Sequence, residues 1–266
     1  MLFASSLLTL FLSERLGSRF SKNVSAVHED FGLILTATLT LLGLILGFTF
    51  SMAVGRYDQR KICEAEEANA VGTEYLRTDL LPASEGANVR NLLAQYLDQR
   101  ILFYQTRNPE QLQRVDHSTT QLEAGLWTSL KSPSLANQSA VLALAVSGMN
   151  DVINSRGYTQ AAWRNRVPLA AWGLLGLIAI AGNFLVGLYL RGIRSNSMLI
   201  LVMPTIMALS FFLIADIDAP RGGLIHVQPA NLMELARTMR PEFRRSGAAS
   251  ASAVTSQVKK QDKSVR

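Results

Sequence analysis

Residues 31–54 read FGLILTATLTLLGLILGFTFSMAV, with Asp30 before them, Arg56 just after them, and no Asp, Glu, Lys, Arg or His between. A hydrocarbon core about 30 Å thick takes about 20 helical residues to cross, so this stretch predicts a membrane-spanning helix. Two further runs lack charge and histidine. Residues 167–190 open with Val167-Pro168 after Arg164 and Arg166, and residues 197–215 carry Pro204 in their interior. Proline near a helix start loses nothing, because its missing N–H has no partner there. Pro204 predicts a kink. All 26 basic and 20 acidic side chains fall outside the three runs, which gives the rest of the chain the charge density of a water-compatible protein.

The apolar opening MLFASSLLTLFL, before Ser13-Glu14-Arg15, is too short to span by itself. It lacks a basic leading segment and a small-x-small cleavage site, so a signal peptide is disfavoured. It is read as a first membrane helix, short or truncated, starting upstream or extending through Leu16 toward Phe20. The expectation is therefore an all-α membrane protein with four transmembrane helices and a helical cytosolic domain between the second and third. Its segments are 1–54 for the first two membrane helices, 55–166 for the cytosolic domain and 167–216 for the last two membrane helices. A juxtamembrane segment, 217–245, and a disordered basic tail, 246–266, follow.

Charge supports one orientation. The formal net charge of +6 belongs to the end of the chain, where Arg237, Arg240, Arg244, Arg245, Lys259, Lys260, Lys263 and Arg266 face only Glu242 and Asp262. Positive residues stay on the cytoplasmic side, and a basic tail is drawn to anionic lipid at about 1 kcal/mol per charge near the surface. Segment 55–166 and the tail are both expected to be cytoplasmic, in a cell inner (plasma) membrane. The tail lacks interleaved aromatics, so nucleic-acid binding is the weaker reading. One cysteine, Cys63, excludes an intramolecular disulfide and fits a reducing compartment.

Segment 55–166 has no alternating strand pattern. No proline occurs between Asp30 and Pro82, so the second membrane helix is expected to continue into the cytosol. A helix after Ser84-Glu85 is marked by Val89, Leu92, Leu93, Tyr96, Leu97, Ile101 and Tyr104 at helical spacing. Another is predicted from Asn108-Pro109-Glu110, and a fourth from Ser132-Pro133 toward Arg156.

The strings LLGLILGFTFSMAVGRYDQRK (41–61), EANAVGTEYLRTDLLP (67–82) and QYLDQRILFY (95–104) resemble the bestrophin-like family, bacterial multi-pass membrane proteins distantly similar to bestrophin channels. MNDVINSRGYTQAAWRNRVPLAAW (149–172) and ADIDAPRGGLIHV (215–227) are similar to that family's second half, so the resemblance runs from about Leu33 to Arg240. Bestrophins are pentameric ion channels whose second helix lines the pore. The resemblance therefore implies a homo-oligomeric ion channel in contact with the lipid bilayer and with inorganic ions. The alternative is a non-conducting membrane-anchored scaffold or sensor that binds a partner through its cytosolic helices.

Gly43, Gly47, Ser51 and Gly55 recur every four residues in the second helix, a spacing that permits close helix packing inside one protomer or, on the resemblance, a pore lining. Phe48, Phe50 and Met52 are candidates for a hydrophobic constriction, since apolar rings gate by dewetting. Arg56, Asp58, Arg60, Asp216 and Asp218 are expected to form ion pairs at the membrane boundary, for instance Arg56 with Asp216. Glu64, Glu67 and Glu74 share a helix face, either as a solvated side or as an acidic vestibule for cations. Asn183 is read as an interhelical hydrogen-bond donor. His28, His117 and His226 lack ligand spacing, and no phosphate loop, nucleophile elbow or triad order is visible. Neither a cofactor, a metal nor an enzymatic activity is expected.

Overall fold

The computed structural model describes residues 24–136, 140–190 and 197–239. The stretch expected to form a short amino-terminal helix and the basic tail lie outside them. All regular structure among the described residues is helical: α1 (Val24–Arg77), a 3-10 turn (Thr78–Leu80), α2 (Ala83–Gln105), α3 (Pro109–Ala136), α4 (Ala140–Arg164), α5 (Leu169–Leu190), α6 (Ser197–Asp218) and α7 (Ala230–Met239). The chain divides into two units, one built from residues up to Asp58 with Asn165–His226, the other from Gln59–Arg164 with the segment after Val227.

In the first unit α1, α5 and α6 share an apolar core. Leu42 packs with Leu175, Ala179, Met207 and Phe211, and Ala53 with Ile214 and Ile217. Trp172 and Phe211 place their rings 6.2 Å apart. Asn183 is fully buried on α5. Threonine hydroxyls that would be orphaned in hydrocarbon bond back to the carbonyl four residues earlier, Thr36 to Gly32, Thr38 to Ile34 and Thr49 to Ile45, each at 2.8 Å. The Asp218 carboxylate at the close of α6 accepts the Val167 N–H just before α5, at 3.0 Å, and holds those two helix ends together.

The expectation of four membrane-spanning helices is corrected here. Among the described residues two helical stretches, not four, are long and apolar enough to cross a bilayer, within Gly32–Leu80 and Leu142–Gly187. Only 17% and 28% of their apolar windows are buried inside the chain, whereas the core helix of a water-soluble fold is mostly buried. The first stretch at 1.5 Å per residue is more than twice the hydrocarbon thickness, and its uncharged part, up to Val54, is the portion whose length and composition suit a bilayer. The fourth apolar run does form a helix, α6, which continues through Pro204. Its described apolar stretch is cut off by Asp216 and Asp218, and Met207, Phe211 and Ile214 are used in packing within the unit. The proposed first span lies outside the described residues.

The second unit packs α2, α3, α4 and α7 around the far half of α1. Proline sets two of its boundaries. Leu81 is extended ahead of Pro82, as a residue before proline must be, and Pro109 opens α3 behind Asn108, whose Oδ1 accepts the Glu110 N–H at 2.8 Å. A boundary expected at Ser132-Pro133 is absent: α3 continues to Ala136, and Pro133 falls in its last turn, where only one backbone bond is lost. Gly86 allows α2 to approach the 3-10 turn, since a Cβ there would lie 2.7 Å from the Thr78 carbonyl oxygen. The core carries a ring cluster in which Trp163 stands 5.1 Å from Phe103 and 5.3 Å from Tyr104, both edge-on.

Candidate functional site

Two features stand out, the outward face of α1 in the first unit and a buried set of charges in the second. Leu42, Thr49 and Ala53 point into the first unit's core. At about 100° per residue, Ser51 sits half a turn away from Leu42, with Gly47, Phe48 and Gly55 beside it. That whole face is exposed on the single chain. A Cβ built on Gly43, Gly47 or Gly55 meets no atom within 4 Å, so the glycine stripe packs against nothing among the described residues. Phe48 is 65% exposed, Phe50 39% and Met52 43%.

The anticipated Arg56–Asp216 ion pair is not formed. Asp216 instead holds the loop after α6, accepting the Leu224 N–H at 2.7 Å and the Ile225 N–H at 2.8 Å. Gly223 makes this possible, since a Cβ there would lie 2.5 Å from the Asp216 carbonyl oxygen. Two backbone donors in a tight loop satisfy the carboxylate without a distant cation. Arg56 places Nη2 3.4 Å from the Met52 Sδ. Asp58 is exposed, and Asp218 holds Val167 as described above. Arg60 is buried in the second unit and donates from Nε to the Ala162 carbonyl at 3.3 Å.

The face bearing Glu64, Glu67 and Glu74 lines neither solvent nor a vestibule in the chain. The three side chains are 2%, 0% and 0% exposed. For Glu64 and Glu67 the cost of burial is met by partners that helix spacing alone does not reveal. Glu64 accepts from Asn231 Nδ2 at 2.6 Å and from the Leu232 N–H at 2.9 Å, which caps α7. Glu67 is paired with Arg100 and accepts from the Tyr104 hydroxyl at 3.2 Å and the Thr159 hydroxyl at 3.1 Å. Glu67 thereby ties α1 to α2 and α4. Burial works against the charge of Arg100, but Glu67 more than offsets it and holds the guanidinium above its ordinary range. Burial first, and Glu67 second, push the Tyr104 hydroxyl upward. Arg100 also lies 4.4 Å from the Phe103 ring centre.

A second knot joins α3 to α4. Arg156 pairs with Glu123 and with Asp116, the latter at 2.6 Å, and donates to the Thr120 hydroxyl at 3.0 Å. Burial raises the Glu123 carboxyl despite Arg156. For Asp116, burial pulls upward but the Arg156 hydrogen bond and charge hold the carboxyl below its ordinary range. Arg100, Thr159 and Asn231 are not singled out by the sequence, and Tyr104 and Arg156 enter it only as helix markers. One signal for Arg100 was present: it shares the helix face of Leu93, Tyr96, Leu97 and Phe103, and a cation inside an apolar stripe requires a buried counter-charge. Among the described residues no cluster of three His, Cys, Asp or Glu is placed to hold a metal ion.

A family model described as a Bestrophin-like domain matches residues 2–232. No curated protein matches the sequence. Among solved structures, a bacterial bestrophin homolog from Klebsiella pneumoniae, determined by zinc phasing, is 14% identical, with 90% of this chain and 94% of that chain covered and a TM-score of 0.64. A point variant of the bacterial bestrophin homolog from the same organism is also 14% identical, with 90% of this chain and 97% of that chain covered and a TM-score of 0.65. At that identity the likeness is one of fold.

Proposed function

The chain belongs to the bestrophin-like family, and on that premise we propose that it is a bacterial inner-membrane protein whose copies assemble into a homo-oligomer that conducts inorganic ions. The helix that lines the path is α1, through Gly43, Gly47, Ser51 and Gly55, and Phe48 and Met52 narrow it. The observation that carries this reading is the placement of that face. It lies opposite the packed positions Leu42 and Ala53, and its glycines have no neighbour among the described residues. Small and hydroxyl-bearing residues suit both a water-filled path and close approach between copies, and a ring of phenylalanines closes by dewetting.

The second unit and the tail are assigned to the cytoplasm. Supporting this, α7 is capped by Glu64 within the second unit, and the residues that follow Met239 carry the excess of basic charge. Alkaline phosphatase fused after Glu85 is expected to be inactive, and strong activity there would reverse the orientation.

Purified protein in planar bilayers tests conduction. Currents that change with Phe48→Ala support the channel, whereas a reconstituted oligomer silent across ions and voltages removes it. The second reading, a non-conducting scaffold or sensor, draws on one observation. A cleft of about 420 Å³ between α2 and α7 is lined by Ile101, Leu102, Met233 and Ala236 with Asp98 and Arg237, an amphipathic surface of the kind a partner segment occupies.

A further inference from the structure

Glu74 closes the last turns of α1 in a setting unlike that of its neighbours on the same face. Glu64 and Glu67 each accept several hydrogen bonds, but Glu74 is 0% exposed and neither of its oxygens has a hydrogen-bond partner. Its counter-charge is Arg77, one turn on, at 3.7 Å, and the Arg77 side chain is 29% exposed. Both side chains press on α4 at Gly148, where an added Cβ would collide with the Arg77 guanidinium and the Glu74 carboxylate alike. The charged groups facing Glu74 are Arg77 on its own helix and Asp151 on α4, the latter repelling a negative charge. Arg90 on α2 is taken up by Thr78 and Asp79.

A buried carboxylate with no hydrogen bond to its charge, one partly solvated cation and an acidic neighbour is poorly supported in its ionised form. We propose that Glu74 is a proton-binding site that switches the end of α1 between two states, ionised and held to Arg77, or protonated with Arg77 released to solvent. The inference stands apart from ion conduction. Burial is the main cause that pushes the Glu74 carboxyl up to about 7, with Asp151 adding to it and Arg77 opposing. The protonated and ionised forms therefore exchange near neutral pH. Because the folded value lies above the ordinary carboxylate value, the native state holds a proton that the unfolded state has given up. Stability from Glu74 is full at acid pH, falls as pH rises toward about 7, and is absent above it.

The test uses the full-length protein in detergent, with thermal unfolding midpoints measured from pH 5 to pH 8 for wild type and Glu74→Gln, which fixes the neutral form. Relative to Glu74→Gln, the wild-type unfolding constant is expected to rise by up to about tenfold per unit between roughly pH 5 and pH 7, then level off. Parallel profiles would overturn the proposal. If Glu74→Gln does not fold, pH-difference infrared spectra of the wild type decide. A protonated carboxyl band lost with a midpoint near 7, and moved upward by Arg77→Met, which removes the opposing charge, supports the site. No carboxyl titrating above pH 6, or a midpoint indifferent to Arg77→Met, refutes it.

Discussion

Replacing Arg100 with Met removes the cation from the centre of the second unit while keeping most of the side-chain volume. Arg100 and Glu67 are both 0% exposed, so the carboxylate left behind keeps only the Tyr104 and Thr159 hydroxyls at 3.2 and 3.1 Å. Breaking a fully buried pair from one side costs about 3–5 kcal/mol, because the remaining charge has lost its compensation. The contact of Arg100 with the Phe103 ring adds a part of about 1 kcal/mol. Against a total stability of about 5–15 kcal/mol, a single substitution of this size is a large loss. The partner change in a double variant, Glu67→Leu with Arg100→Met, removes the stranded charge and should recover more than half of the loss, leaving about 1 kcal/mol for each orphaned hydroxyl. Denaturant titration of wild type, both singles and the double supplies the coupling energy directly. The reasoning fails if Arg100→Met costs under about 1 kcal/mol, or if the double variant is as unstable as the two singles summed.

Glu64→Ala should cost about 2 kcal/mol through two lost hydrogen bonds to a carboxylate, with hydrogen exchange rising selectively over α7 as its cap is removed. Gly86→Ala, where the added Cβ meets the Thr78 carbonyl at 2.7 Å, should destabilise by about 1–3 kcal/mol. Gly157→Ala, on the same unit with nothing within 4 Å, should be neutral or stabilise by up to about 1 kcal/mol; thermal midpoints of the two compared side by side check both. Phe48→Ala should leave the folded chain's stability unchanged within about 0.5 kcal/mol, since its ring is 65% exposed, while altering any current the reconstituted protein carries.

Helix boundaries were legible where proline or an Asx cap marks them. Pro82, Asn108-Pro109 and Pro168 each stand at the opening of a helix, because proline's missing donor makes that position favourable. Pro133 misled for the converse reason: in a last turn the same ring is tolerated, so α3 continues past it. The apolar runs were visible, but composition does not distinguish residues facing lipid from residues spent on neighbours. The fourth run read as a span by composition, although Met207, Phe211 and Ile214 pack inward. Spacing placed Glu64, Glu67 and Glu74 on one face and stopped there. The partners of Glu64 and Glu67 lie 33 residues on at Arg100, 92 at Thr159 and 167 at Asn231, distances over which no local pattern reports contact. Asp216 was paired by sequence with a cation across the boundary, yet two backbone donors in a loop closed by Gly223 lie nearer.

The central claim is that the outward face of α1 borders an ion path. The most direct measurement is the bilayer current of Ser51→Cys protein before and after a water-soluble, charged thiol reagent, with wild-type protein, whose one cysteine is buried, as the reference. The account predicts a current that the reagent blocks or sharply reduces in Ser51→Cys and leaves alone in wild type. A steady current unaffected by modification at Ser51→Cys, or no current from correctly folded and reconstituted protein, would contradict it.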